Sequence, residues 1–138
     1  MSDMNDFNSQ IIAEFRSNAG VVGGNFAGMP LVLLTTTGAK SGLPRINPLA
    51  CQLAEDGTIY VFASKAGATT DPDWYRNLVA NPAVHVEHGT ESFDAVAESV
   101  TGAARDEIYA RQAAGFPTFA EYEKTANRVI PVVALRRA

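Results

Sequence analysis

Residues 31–53, LVLLTTTGAKSGLPRINPLACQL, read as a strand, a glycine-bounded loop and a second strand. Leu31 to Leu34 form an apolar run, which Thr35, Thr36 and Thr37 continue with β-branched side chains suited to a pleated surface. Gly38 and Gly42 bracket Ala39-Lys40-Ser41 and supply two positions where a positive φ costs little. Pro44 has no N–H to give a central ladder, so the second strand is expected to start after it.

The loop is rich in donors. It carries hydroxyls (Thr35, Thr36, Thr37, Ser41), free backbone N–H groups that can form an anion nest, and the charges of Lys40 and Arg45. No Asp or Glu occurs between Glu14 and Glu55, although the chain has a formal net charge of −4. The window is therefore a local reversal of sign, readable either as an anion site or as ordinary surface charge. Known phosphate motifs do not explain it. The order G-x-x-x-x-G-K-S/T is absent, and Leu43-Pro44 leaves no room for a helix start behind the loop. Gly20, Gly23, Gly24 and Gly28 neither follow a strand nor open a helix, so a dinucleotide fingerprint fails as well.

Outward from this stretch the chain alternates short strands with helices. Glu55-Asp56-Gly57 is a turn, Thr58–Ala63 a third strand, and Ser64–Thr70 a second glycine-containing loop. This loop repeats the first: a hydroxyl, Lys65, Gly67, and no acid between Asp56 and Asp71. If the two strands are neighbours, both loops open on nearby ground. Asp71-Pro72-Asp73 signals a helix start, with Asp71 as cap, and the helix carries Trp74, Tyr75 and Leu78 as far as Pro82. Fourth and fifth strands are expected over 83–87 and 93–100, around a Gly89-Thr90 turn. Thr101 caps a helix closed by Gly115, and Thr118 to Glu121 form a capping box for a short helix. That helix brings Phe116, Phe119 and Tyr122 to one side, and Ile130–Leu135 is a last strand before a basic tail.

At the amino end Phe7, Ile11, Ile12 and Phe15 recur at helical spacing, with Asn5 or Asp6 as cap. The narrow stripe suits packing on the body of the protein or peripheral contact with a membrane surface; lacking a cationic face, packing is the expectation. The loop 20–30, GVVGGNFAGMP, offers Val21, Val22, Phe26 and Met29 as cover for a ligand or for the core. His85 and His88 are offset by three along a strand, hence on opposite faces, and no metal is expected. The lone Cys51 reads as a small buried hydrophobe. No apolar run approaches a membrane span, so a cytoplasmic protein is expected, with the inner membrane face open to the first helix alone. Acidity argues against nucleic acid as a partner.

About six hairpin-linked strands and four helices over 138 residues predict one α+β domain: a small antiparallel barrel with helices covering its ends, the helix of residues 1–19 peripheral to it. Two blocks go further. TTTGAKSGLPRINPL (35–49) and FASKAGATTDPDWYRNLVANP (62–82) resemble the deazaflavin-dependent nitroreductase family, a resemblance extending from Leu31 to the C-terminus. It implies a split β-barrel of the FMN-binding type and the deazaflavin coenzyme F-420. It also implies a reductase passing a hydride to a quinone, enone or nitro compound, in a monomer or weak dimer. By the same resemblance Lys40, Ser41, Gly42, Leu43, Pro44 and Arg45 match the loop around the coenzyme's phosphate and carboxylate tail. Ser64, Lys65 and Gly67 match residues near the ring and tail, and Trp74, Tyr75 and Asn77 the helix lining the pocket. Ser64 is the candidate near the reacting face.

One departure concerns the acceptor. Where nitroimidazole-reducing members carry tyrosines, this chain has Ala50, Phe116 and Phe119, and only Tyr122 keeps its hydroxyl. Such a wall discriminates less by hydrogen bonding and favours flat, apolar acceptors such as quinones. An FMN enzyme on the same barrel and a non-catalytic F-420 carrier are the alternatives.

Overall fold

A computed structural model describes residues 3–22 and 30–138, of which 3–8 and Ala66 by backbone alone. Phe26 and Met29 of the glycine-rich loop lie outside the described residues. Among those described, the elements are α1 (Asp3–Ser17), β1 (Leu31–Thr37), β2 (Pro44–Leu53), β3 (Ile59–Phe62) and a 3-10 turn (Lys65–Gly67), followed by α2 (Asp73–Ala80). Then come β4 (Ala83–His88), β5 (Glu91–Val100), α3 (Gly102–Gly115), α4 (Thr118–Ala126) and β6 (Val132–Arg137). The strands close into an antiparallel barrel in the order β1-β2-β3-β6-β5-β4.

Alternation sorts the strands into two faces. Val32 and Leu34 of β1, Cys51 of β2, Ile59 and Val61 of β3, Val84 and Val86 of β4, Ala95 and Ala97 of β5, and Val133 and Leu135 of β6 fill the interior. Trp74 and Leu78 join them, so α2 plugs the barrel. The other face of β1 is buried too, because Leu31 and Leu33 lie under Phe15 of α1. On the far side Phe62 and Val132 pack beneath Ile108, Tyr109 and Phe119 of α3 and α4. Ala50 touches both outer clusters, which makes β2 the floor between α1 and the α3–α4 pair.

Of the apolar stripe of α1, Phe15, Ile11 and Ile12 pack on the barrel, while the Phe7 side chain lies outside the described residues. Phe15 is 2% exposed, and Arg16 grips Glu87 of β4 through two hydrogen bonds of 3.0 and 2.8 Å. Just beyond, Gly20 lies so close to Gly89 that a Cβ would come within 2.7 Å of its Cα. No helix among the described residues is long and apolar enough to cross a membrane.

Element ends differ from the sequence reading for local reasons. β2 begins at Pro44 itself, paired with Thr37 at the rim of the ladder, a first-residue position that proline tolerates. α1 starts at Asp3, so Asn5 and Asp6 lie inside it. α2 starts at Asp73 with Pro72 in the cap position, because the Asp71 carboxylate goes to Arg128 instead. The capping box at Thr118 does not form: Pro117 takes the cap position and Glu121 pairs with Lys124. β6 extends to Arg137, and the basic tail is bound, Arg136 to Thr58 and Arg137 to Glu91.

Candidate active site

The loop between β1 and β2 folds on itself. The Gly38 N–H donates to the Leu43 carbonyl at 2.8 Å, Gly42 N–H to the Gly38 carbonyl at 2.9 Å, and Leu43 N–H to Ser41 Oγ at 3.2 Å. Ala39 N–H donates to Asn77 Oδ1 at 3.0 Å. Two adjacent amides, Lys40 and Ser41, are left without an acceptor among the described residues. Lys40, Ser41, Gly42, Leu43, Pro44 and Arg45 are all exposed.

β1 and β3 are not neighbours; both flank β2. Val61, near the end of β3, pairs with Cys51, whereas the first loop sits at Pro44 at the opposite end of β2. The two loops are joined through α2 instead. Asn77, buried, donates its Nδ2 to Thr36 Oγ1 at 3.2 Å while its Oδ1 holds the Ala39 amide. The backbone N–H of Ala39 can only donate, which settles how the Asn77 amide is turned.

The second loop rests on α4 and on Arg128. Gly67 has φ +83°, and a Cβ there would run into Thr125 Oγ1 and the Tyr122 ring. Thr125 Oγ1 donates to the Gly67 carbonyl at 3.1 Å. Arg128 bonds the carbonyls of Ala63, Ala68 and Thr70 and the Asp71 carboxylate. Arg128 was not legible in the sequence; the only signal was Asn127, a residue tolerant of left-handed backbone at a helix end, which here has φ +51°.

The expected wall residues do gather. Ala50, Phe116, Phe119 and Tyr122 belong to one cluster, with Phe119 and Tyr122 ring centroids 5.3 Å apart. Phe119 is core rather than lining: it is 4% exposed and edge-packed on Phe62 and Tyr109 as well. Trp74 likewise lies in the barrel core, 5% exposed, and presents Tyr75 beside it. Tyr75 half-emerges and its hydroxyl lies 3.2 Å from Ser99 Oγ. Ser64 is 9% exposed, and neither its hydroxyl nor that of Tyr122 has a hydrogen-bond partner among the described residues. Burial pushes the Tyr109 phenol up, and its hydroxyl is tied to the Phe119 carbonyl at 2.6 Å, which removes it from proton transfer. Burial also raises the Cys51 thiol to about 12, leaving it inert.

The charges separate cleanly. Of the eleven Lys and Arg residues, eight hold an acid, a hydroxyl or a carbonyl. Lys40, Arg45 and Lys65 hold none among the described residues.

A family model described as F-420H(2)-dependent quinone reductase matches residues 9–137. The chain belongs to that family. Membership makes it an oxidoreductase that works with coenzyme F-420. An F-420H(2)-dependent quinone reductase of Mycobacterium tuberculosis is 37% identical over 132 residues, covering 91% of this chain and 86% of the relative. Among solved structures, an F-420-H2-dependent reductase, FDR-A, superposes with a TM-score of 0.70 at 39% identity, over 78% of this chain and 94% of its own. Another, described as a domain-swapped dimer, gives 0.71 at 34% identity, over 97% of this chain and all of its own.

Proposed function

We propose that this protein is a quinone reductase whose coenzyme is held at its anionic tail by the two acid-free loops. The observation that carries the reading is the set of three cations without partners among the described residues, Lys40, Arg45 and Lys65, in an acidic chain whose other cations are all engaged. The unfilled amides of Lys40 and Ser41 suit a phosphate or carboxylate oxygen of that tail, and Gly42, Leu43 and Pro44 shape the turn around it. The coenzyme in its reduced form supplies a hydride when bound.

The remaining work falls to the chain. Asn77 fixes the first loop to β1, and Arg128 and Thr125 fix the second, so both are set before any ligand arrives. Gly67 lets the second loop lie against α4. Ser64 offers a hydroxyl free to contact the reacting ring, and Tyr122 one free to hand a proton to the reduced acceptor. Ala50 and Phe116 give the acceptor side an apolar, hydroxyl-free surface that suits a flat quinone, with the buried Phe119 stiffening it from behind. Trp74 and Tyr75 act in this reading by fixing α2 in the barrel. A single domain over the whole chain accommodates the site, as monomer or as weak dimer, and α1 serves as a strap on the barrel.

Calorimetric titration with F-420 and, in parallel, FMN tests the binding half. Saturable binding of F-420 alone is expected; binding of FMN alone would refute it. With F-420H2 in excess, turnover of a benzoquinone or naphthoquinone should far exceed that of a bicyclic nitroimidazole. A nitroimidazole rate equal to the quinone rate would refute the assignment of the wall.

A further inference from the structure

We propose that Arg128 is a positioning residue, which shapes the second loop so that Lys65 faces the coenzyme's anionic tail; this rests on the functional reading above. The Arg128 side chain is 16% exposed beneath the loop. Its Nε donates to the Ala68 carbonyl at 3.1 Å, Nη1 to Asp71 Oδ1 at 2.7 Å, and Nη2 to the carbonyls of Ala63 at 2.9 Å and Thr70 at 3.0 Å. The Ser64 carbonyl lies 3.5 Å from the same Nη2. One planar fork thus gathers acceptors from both ends of the segment 63–71, a pattern that a lysine ammonium cannot match.

What the clamp holds is unusual. Lys65 has φ +47°, a left-handed backbone that a side chain with a Cβ rarely adopts. Within the turn only two hydrogen bonds support it, Gly67 N–H to the Ser64 carbonyl and Ala68 N–H to the Lys65 carbonyl. The bonds from Arg128 flank that turn, on Ala63 two residues before Lys65 and on Ala68 just after Gly67. The Lys65 ammonium is exposed and unpaired among the described residues, whereas the Arg128 charge is matched by Asp71. The clamp is therefore a support and Lys65 the charge it presents.

The test is a double-mutant cycle read by calorimetry with F-420, over a range of salt. Lys65→Ala and Arg128→Lys are each expected to weaken binding by about tenfold, and the double variant by no more than Lys65→Ala alone. Arg128→Lys keeps the net charge, yet it should flatten the salt dependence as Lys65→Ala does, which a merely structural lesion would not do. Losses that multiply in the double variant, or an unchanged dissociation constant in Arg128→Lys, would overturn the proposal while leaving the site in place. An unchanged constant in Lys65→Ala would instead overturn the site reading, and the proposal with it. Should Arg128→Lys not fold, Asp71→Asn replaces it in the cycle: a loss of about threefold that vanishes in the Lys65→Ala background supports the clamp, and a multiplying loss or none refutes it.

Discussion

At the scale of the residue, Asn77 shows how one buried amide couples fold to site. Both ends of its side chain are used, the oxygen on the Ala39 amide and the nitrogen on the Thr36 hydroxyl. Asn77→Ala removes both bonds and leaves those two groups unmatched, at a cost of about 1–3 kcal/mol. The first loop then loses its tie to β1, so F-420 affinity should fall together with stability. Asn77→Asp keeps the acceptor for Ala39 but brings a carboxylate close to Lys40, and should bind F-420 more weakly still. Urea unfolding and calorimetry on the two variants check this; full affinity in Asn77→Asp would show that the first loop does not meet an anion. The spacing of the sequence placed Asn77 on the right helix, but nothing in it revealed that the residue faces the barrel. Trp74 and Phe119 carry the converse lesson, since a large apolar ring looks the same in a sequence whether it lines a pocket or fills a core.

At the scale of the element, strands were legible and ends were not. The strands show because burial is written residue by residue, with period 2 in β5, where Ala95 and Ala97 face inward between exposed neighbours, and as a continuous apolar run in β6, where Val132 to Leu135 are all buried. Caps fail to show when a distant partner outbids the local one. Asp71 has the right neighbours for a helix cap and is instead 2.7 Å from an arginine 57 residues away. The sequence leaves the first helix two fates, barrel or membrane surface, and its docking on the barrel has a pH signature. The Arg16 guanidinium, by hydrogen bonding and then by charge, holds Glu87 below the ordinary value of 4.5, against the opposing effect of burial. A carboxyl lowered in the folded state contributes above its unfolded pKa and loses that contribution as pH falls through the folded one. Amide protection of α1, corrected for intrinsic exchange, should therefore drop below about pH 4.5 ahead of the barrel. Glu87→Gln should show the lower protection at neutral pH, with little further change in acid. The effect is small, under about 1 kcal/mol, because Arg16 is half exposed; Phe15→Ala should cost about 3–5 kcal/mol. Equal acid sensitivity in Glu87→Gln would mean that another group secures the helix.

At the scale of the whole molecule, the barrel and the charge pattern answer different needs. Closure leaves none of the six strands with a free edge, and the interior is filled by side chains, so a ligand must lie outside the barrel wall. The surface there belongs to a chain of formal charge −4, which repels an anionic coenzyme at long range. In the proposed site, binding depends on the contrast between that field and the two acid-free windows, one free of acid from Glu14 to Glu55 and the other from Asp56 to Asp71. Salt acts oppositely on the two: it screens the distant acids, which helps binding, and weakens the local cations, which hinders it. In the native protein the contact charges should win, so the F-420 dissociation constant should rise with salt between about 20 and 500 mM. Removing Lys40 and Lys65 together makes the chain two units more negative and leaves Arg45 as the remaining unpaired cation of the windows. That variant should bind more weakly by a few kcal/mol, with a salt dependence close to zero or of opposite sign, because repulsion and residual attraction are then screened together. A slope unchanged from the native one would place the coenzyme's charge elsewhere on the barrel, and the two loops would be solvated surface after all.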